Sequence, residues 1–203
     1  DYTEYREPFL GGGSVALYIS QMHPHLKITV NDLYEPLMNF WSNLQMFGGE
    51  LYTELKNLKI TNCNQDSARC LFAEMKDVVN DKTKTDLERA VAFYVINKCS
   101  FSGLTESSSF SAQASDSNFS MRGIEKLPEY SEIISNWHIN QYSYEYCFRT
   151  DIHDGLFMYL DPPYEIGSNL YGKRGEMHKY FDHDKFAEDC KDSKVNMLVS
   201  YNS

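Results

Sequence analysis

The tetrapeptide Asp161-Pro162-Pro163-Tyr164 carries the densest chemistry in the chain. Two successive prolines fix φ twice and remove two backbone donors, so the segment is stiff and its carbonyls have no ladder to join. A carboxylate, an unpaired carbonyl and an aromatic face thus lie within four residues. That combination suits a planar exocyclic amine, whose lone pair is delocalised into its ring until its hydrogens are held by acceptors. The Asp161 carboxylate and the Pro162 carbonyl can hold them, favouring a tetrahedral nitrogen whose lone pair points at an incoming methyl group. Tyr164 offers a face on which a base can stack. Such a pocket cannot reach an amine inside a duplex, so the chemistry also implies extruding the base from its stack. Taken alone, the tetrapeptide also reads as an ordinary rigid turn.

A second group of residues points to a nucleoside ligand. Gly11-Gly12-Gly13-Ser14 lies between a strand-like and a helix-like segment, where a ligand can approach the backbone closely and the following helix presents free N–H groups. The next strand-like segment ends at Asp32, near the spacing at which nucleotide-binding βαβ units place a carboxylate on ribose hydroxyls. The contiguous glycines do not fit a dinucleotide fingerprint, and no Gly-Lys-Ser/Thr follows as in a phosphate loop. An adenosine-containing ligand without a pyrophosphate is favoured. The plainer alternative is a tight turn with Asp32 capping a helix that starts near Leu33, a role compatible with ligand binding.

Positioning these groups requires an α/β frame. Tyr5 to Phe9 reads as a strand and Val15 to Ile19 as the start of a helix. Lys27 to Val30 is a β-branched strand, and Leu33, Leu37, Phe40, Trp41 and Leu44 then recur at helical spacing. Ala68, Leu71, Phe72, Met75, Val78 and Val79 form one helical stripe, and Thr85 with Glu88 is a capping-box signature before Leu87, Val91, Tyr94 and Val95. Ser100 to Ser120 is serine-rich and is expected to be irregular and exposed. Trp137 to Asn140 opens a strand, and Leu156 to Leu160 is an apolar run typical of a strand buried on both faces. Phe186 and Cys190 suggest a covering helix, and Val195 to Ser200 reads as the next buried strand. The expected class is α/β, in three layers with a mainly parallel sheet.

With 203 residues, 42% of them hydrophobic, the chain can bury one sizeable core. No apolar run approaches the roughly 20 residues needed to span a bilayer, and Asp1 to Arg6 lacks signal-peptide order, so a soluble, intracellular domain is expected. Cys63, Cys70, Cys99, Cys147 and Cys190 are odd in number and scattered, which indicates reduced, mostly structural thiols. The net charge of -10 opposes indiscriminate phosphate binding, although a local groove with Lys98, Arg122, Lys126, Lys173, Arg174 and Lys179 can still be positive. His23 and His25, and His178 and His183, fit no common metal template and read as solvated loop histidines. Tyr171 to Gly175 reads equally as a mobile lid, with Lys173 and Arg174 reaching phosphates, and as a plain surface turn.

Together these pieces resemble the Dam-like (D12 class) DNA adenine-N6 methyltransferases over nearly the whole chain. Glu7-Pro8-Phe9-Leu10-Gly11-Gly12-Gly13-Ser14 looks like the family's cofactor turn, Asn31-Asp32-Leu33 like its ribose-binding acid, and Asp161-Pro162-Pro163-Tyr164 like its catalytic motif. Ile96 to Leu104 is similar to the family's Asn-Arg-x-x-Phe-Asn-Gly-Leu segment, with Lys98 where Arg is usual, and Leu198 to Asn202 looks like its later strand ending in Ser-Tyr-Asn. Where the family commonly has Asp-Phe or Asp-Tyr near the cofactor adenine, this chain has Ser143-Tyr144, a hydroxyl without charge.

The resemblance implies a three-layer Rossmann-like fold spanning residues 1 to 203 as one domain, with a helical and loop target-recognition insertion over about 50 to 136. It implies S-adenosylmethionine as cofactor, bound by Glu7, Pro8, Phe9, Gly11, Gly13, Ser14, Asp32, Leu33, Ser143, Tyr144 and Asp161. Catalysis would rest on Asp161, Pro162, Pro163 and Tyr164, with methyl transfer direct and in line and no metal. Duplex DNA is the implied partner, touched by Asn97, Lys98, Lys173 and Arg174, in the cytoplasm beside the nucleoid of a bacterium or an infected cell. The family's segment before the cofactor turn, with a Lys on the methionine end, and its strands after Ser-Tyr-Asn are not found in this sequence, so the chain is expected to be incomplete at both ends. Two other readings stay open: a methyltransferase on RNA adenine or a protein amide, and a non-catalytic nucleic-acid-binding or cofactor-binding remnant.

Overall fold

A computed structural model describes residues 1–101, 107–164 and 181–201. Its frame is a five-stranded sheet of β1 (Glu4–Glu7), β2 (Lys27–Asn31), β3 (His138–Asn140), β4 (Leu156–Leu160) and β5 (Asn196–Val199), in the order β3-β2-β1-β4-β5. Every pairing is parallel. The chain builds outward from β1 in one direction through β2 and β3, then returns to place β4 on the other side of β1. The order reverses between β1 and β4, and open α/β sheets bind ligands beyond the carboxyl ends of the strands at such a point.

Side-chain alternation along β4 produces the layers. Leu156, Met158 and Leu160 are fully buried on one face with Phe186 and Val195, beside Phe9, Tyr144 and Phe148. Phe157 and Tyr159 turn to the other face, toward Tyr5, Ile28 and Val30. That second face carries α1 (Ser14–Met22) and the long α2 (Glu35–Thr61); the first carries α8 (Tyr144–Arg149) and α9 (His183–Asp192). The result is the expected three-layer, Rossmann-like arrangement, all parallel among the described residues.

Between β2 and β3 the named elements of the described chain are all helices: α2, α3 (Gln65–Val78), α4 (Asp86–Cys99), α5 (Ala112–Ser117), α6 (Met121–Ile124) and α7 (Leu127–Ile133). α2 packs on α4 and α7, and α3 packs on α4. The Thr85/Glu88 capping box starts α4 as its sequence requires. α2 is interrupted at Phe47 (φ -132°, ψ 36°); the next residue, Gly48, sits so close to α7 that a Cβ there would lie 2.4 Å from Ser131 Oγ. No helix among the described residues is long and apolar enough to cross a membrane.

Three expectations need correction. The serine-rich stretch is not simply irregular: Ser111 caps α5, Ser120 caps α6, Ser100 pairs with Phe110, and Ala114 and Phe119 are buried. Serine disfavours helix interiors but starts helices well, and here one apolar anchor per turn suffices. β5 is not buried. It forms the sheet edge among the described residues, with Leu198 57% and Val199 37% exposed. β4 is buried fully on one face only, Phe157 and Tyr159 remaining half-exposed.

Candidate active site

The first wall of the site is the glycine turn. β1 ends at Glu7, and the chain folds back so that Leu10 N–H donates to the Asn31 carbonyl (2.9 Å) and Gly13 N–H to the Leu10 carbonyl (2.9 Å). Gly11 and Gly13 have φ of 48° and 66°, a left-handed conformation that side chains strain. A Cβ on Gly11 or Gly12 would meet nothing within 4 Å, so this backbone faces open space. Gly13 differs: its Cβ would fall 2.6 Å from the Trp41 ring. Trp41 also donates from Nε1 to the Gly11 carbonyl at 3.3 Å and packs on Trp137, whose Nε1 donates to Ser20 Oγ at 2.7 Å. Two indoles therefore brace the turn from behind.

Asp32 closes the turn from the end of β2. Its Oδ2 accepts from Gly11 N–H and its Oδ1 from Tyr34 N–H, each at 3.0 Å. It thus joins the turn to the start of α2, whose first helical residue is Glu35 rather than Leu33. Burial raises the Asp32 pKa against the opposing backbone bonds from Tyr34, Gly11 and Leu33. A carboxylate has about four acceptor sites, so lone pairs remain for ligand hydroxyls. An open backbone face beside such a carboxylate fits an adenosine-type cofactor.

Glu7 lies between this turn and the second wall. It is buried, accepts from Tyr5 Oη at 2.7 Å, and receives the Ala16 backbone amide from the first turn of α1. Burial pushes its pKa up to about 8, the bonds from Tyr5 and Ala16 oppose that rise, and the charges of Asp161 and Asp32 add to it. Three carboxyl groups thus share one end of the sheet.

The second wall is the loop after β4. Asp161 is exposed, Pro162 buried, and Pro163 and Tyr164 half-buried. Tyr164 Oη donates to Asp161 Oδ1 at 2.7 Å and lies 3.1 Å from Ser200 Oγ. Ser200 follows β5, and its N–H reaches back to the Leu160 carbonyl at 2.8 Å. Glycine turn, Asp32 and loop therefore meet at the carboxyl ends of β1, β2 and β4, flanking the switch point.

Across residues 1–203 the chain matches the D12 class N6 adenine-specific DNA methyltransferases. The chain belongs to this family. It is also 28% identical over 106 residues to the Type II methyltransferase M.MjaIII of Methanocaldococcus jannaschii, a match covering 50% of this chain and 36% of that protein. The chain therefore spans about a third of the length of the relative it matches. The family is described by its action on the N6 position of adenine in DNA.

Within this D12 frame the other expected residues fall in three places. Pro8 is buried and Ser14, the first residue of α1, is exposed beside the turn; Leu33, 53% exposed, projects next to Asp32. Ser143 precedes α8 without a side-chain capping bond, and Tyr144 turns inward to donate to Asp189 Oδ2 at 2.9 Å and pack on Phe9, Phe181 and Phe186. Asn97 and Lys98 lie in the last turn of α4. Lys98 Nζ sits 5.7 Å from the Tyr94 ring centroid, and burial lowers its pKa. Arg122 and Lys126 are exposed nearby on α6 and before α7, where Tyr94 Oη comes within 3.3 Å of a Cβ placed on Gly123. Lys173, Arg174, the Tyr171 to Gly175 segment, His178, Lys179 and the Gly103-Leu104 end of the α4 motif lie outside the described residues.

Among the described residues no three His, Cys, Asp or Glu side chains gather as a metal site. Cys99 and Cys147 are buried thiols pushed up to about 12 by that burial, whereas Cys63 and Cys70 are exposed and so have no structural part in a core. Sequence reasoning missed Asn31, which is fully buried and ties three strand ends together. Its Nδ2 donates to the Pro8 and Tyr142 carbonyls and its Oδ1 accepts from Tyr142 N–H. The available signal was an amide beside Asp32 at the end of a β-branched strand. Trp41 gave no such signal, since its helical spacing equally marks core.

Proposed function

We propose that this chain transfers a methyl group from S-adenosylmethionine to the N6 amine of an adenine flipped out of duplex DNA. One observation carries the reading: the braced glycine turn with Asp32 and the Asp161–Tyr164 loop open at the same end of the sheet, on either side of its switch point. When bound, S-adenosylmethionine supplies an electrophilic methyl group on a sulfonium.

The chain's own residues do the rest. Gly11 and Gly12 offer a bare backbone to the cofactor, with Pro8, Phe9, Gly13 and Ser14 shaping the turn. Asp32 accepts from ribose hydroxyls, Leu33 gives an apolar contact beside it, and Ser143 and Tyr144 bound the adenine end. Glu7 sets the charge near the cofactor's cationic end. Asp161 and the Pro162 carbonyl accept the amine hydrogens so that the nitrogen lone pair is free, Pro163 keeps that carbonyl fixed, and Tyr164 stacks on the base. The helical region over about 50 to 136, with Asn97, Lys98, Lys173 and Arg174, belongs to DNA contact and target choice, in the cytoplasm where such DNA lies.

The test is to incubate the chain with S-adenosylmethionine and unmethylated duplex DNA, digest to nucleosides and measure N6-methyladenine by mass spectrometry. RNA and peptide serve as competing substrates. Product is expected from DNA, falling at least about a hundredfold in Asp161→Ala, the scale of losing one preorganised polar group at a reacting centre. Preference for RNA or peptide, or equal product from the variant, would overturn the assignment.

A further inference from the structure

The Asp161 carboxylate already has a hydrogen-bond partner within its own loop. Tyr164 Oη lies 2.7 Å from Asp161 Oδ1 and 3.1 Å from Ser200 Oγ. A phenol has one hydrogen, and the carboxylate, an acceptor only, takes it. Ser200 must then donate to Tyr164 Oη, giving a directed chain from Ser200 through Tyr164 to Asp161 whose bonds strengthen one another. Ser200 is itself held in place: its N–H bonds the Leu160 carbonyl at 2.8 Å, one step beyond the β4–β5 ladder and one residue before Asp161.

We propose that Ser200 is a positioning residue that pins the Tyr164 hydroxyl, and so fixes the plane of the stacking ring and the release of Asp161. With no amine present, the phenol hydrogen covers Asp161 Oδ1. When an amine hydrogen arrives there, both hydroxyls rotate and the phenol donates to Ser200 Oγ instead. Asp161 is freed without any heavy atom moving and without leaving the Tyr164 hydroxyl unbonded. The stacking face keeps its plane throughout, because its anchor stays in place.

This proposal rests on the methyl-transfer reading above, so one arm of its test is independent of activity. The chain is labelled with 3-fluorotyrosine, and the Tyr164 fluorine resonance is identified by its loss in Tyr164→Phe. That resonance is expected to move in both Ser200→Ala and Asp161→Asn and to return toward its original position in Ser200→Thr. An unmoved resonance in Ser200→Ala overturns the pin, whether or not the chain methylates DNA. The second arm measures kcat and KM for Tyr164→Phe, Ser200→Ala and the double variant. Each single change is expected to lower kcat about tenfold with KM for DNA and cofactor unchanged, and the double to fall no further than Tyr164→Phe alone, since groups that act as a unit are non-additive. Multiplying losses would assign Ser200 a separate structural role and overturn the proposal. Absence of product from the unmodified chain would sink the methyl-transfer reading, while the fluorine arm still decides the pin.

Discussion

Glu7 is a buried carboxyl at the site whose ionisation is displaced toward neutrality. Burial and the charges of Asp161 and Asp32 hold its pKa at about 8, so near neutrality it keeps its proton more often than not. S-adenosylmethionine carries a sulfonium and an ammonium, and a cation placed beside Glu7 favours the carboxylate. Binding must then release a proton. Because the pKa of the free chain is raised, cofactor affinity is expected to rise with pH from about 6.5 to about 8 and level off above, by up to about tenfold per pH unit. Calorimetry in buffers of different ionisation enthalpy measures both the affinity and the proton released. Glu7→Gln should flatten the dependence, and an unchanged slope in that variant would remove Glu7 from the cofactor site. At this scale the sequence was legible where a residue's meaning is local. Asp161 stands out because two prolines follow it, and Asp32 because a strand ends beside it after a glycine turn. Ser200, Trp41 and Asn31 were not legible, since what they do depends on partners 36, 30 and 111 positions away.

The glycine turn shows how elements rather than single residues make the site. Gly13 is the left-handed residue before α1 and the one against which the Trp41 ring of α2 packs. Gly13→Ala would force both a strained φ and a clash at 2.6 Å with an indole held by Trp137. The turn must shift, and cofactor binding is expected to weaken at least about tenfold, while the rest of the core stays intact. Gly12→Ala, with open space at its Cβ, should leave folding unchanged and weaken binding only through obstruction by the new methyl. Equilibrium binding with thermal unfolding of both variants separates the cases, and equal stability losses would contradict this account. Away from the site, Thr85→Ala removes one half of the α4 capping box and should cost about 1 kcal/mol in urea unfolding. α3 was plain in the sequence because burial and helical spacing coincide at Ala68, Leu71 and Phe72, and α4 because its capping box marks its start, although Arg89 to Ile96 are then buried all round. The serine-rich stretch hid α5 because so few apolar residues hold it, Ala114 within the helix and Phe119 just beyond its end. β5 was overread because an apolar run looks the same at a sheet edge as at its centre.

At the scale of the whole molecule, the sheet carries its two charge clusters at opposite ends. The carboxyl groups of the site lie at the carboxyl end; at the amino end of β1, Glu4 accepts from Arg6 Nε (3.1 Å) and Nη2 (2.7 Å), Lys27 Nζ (3.1 Å) and Thr29 Oγ1 (3.1 Å). Arg6 Nη1 continues to the Cys147 and Thr150 carbonyls at the end of α8. This clamp joins β1, β2 and the α8 layer at the end away from the chemistry. Burial alone would raise the Glu4 pKa, but the hydrogen bonds and charges of Arg6 and Lys27 prevail and hold it at about 2. A depressed carboxyl contributes stability that is present above its unfolded pKa and is lost as pH falls from about 4.5 toward about 2. Glu4→Gln leaves Arg6 buried without its counter-charge, so the variant should be less stable by about 3 kcal/mol at pH 7. The gap to the unmodified chain should narrow as both are acidified, because the unmodified chain loses the same interaction by protonation. Urea unfolding at pH 7 and near pH 3 reads both values. A gap that stays constant across that range would mean that Glu4 acts by packing alone, and a fall in methyl transfer beyond the loss of folded protein would mean that the two ends of the sheet are coupled.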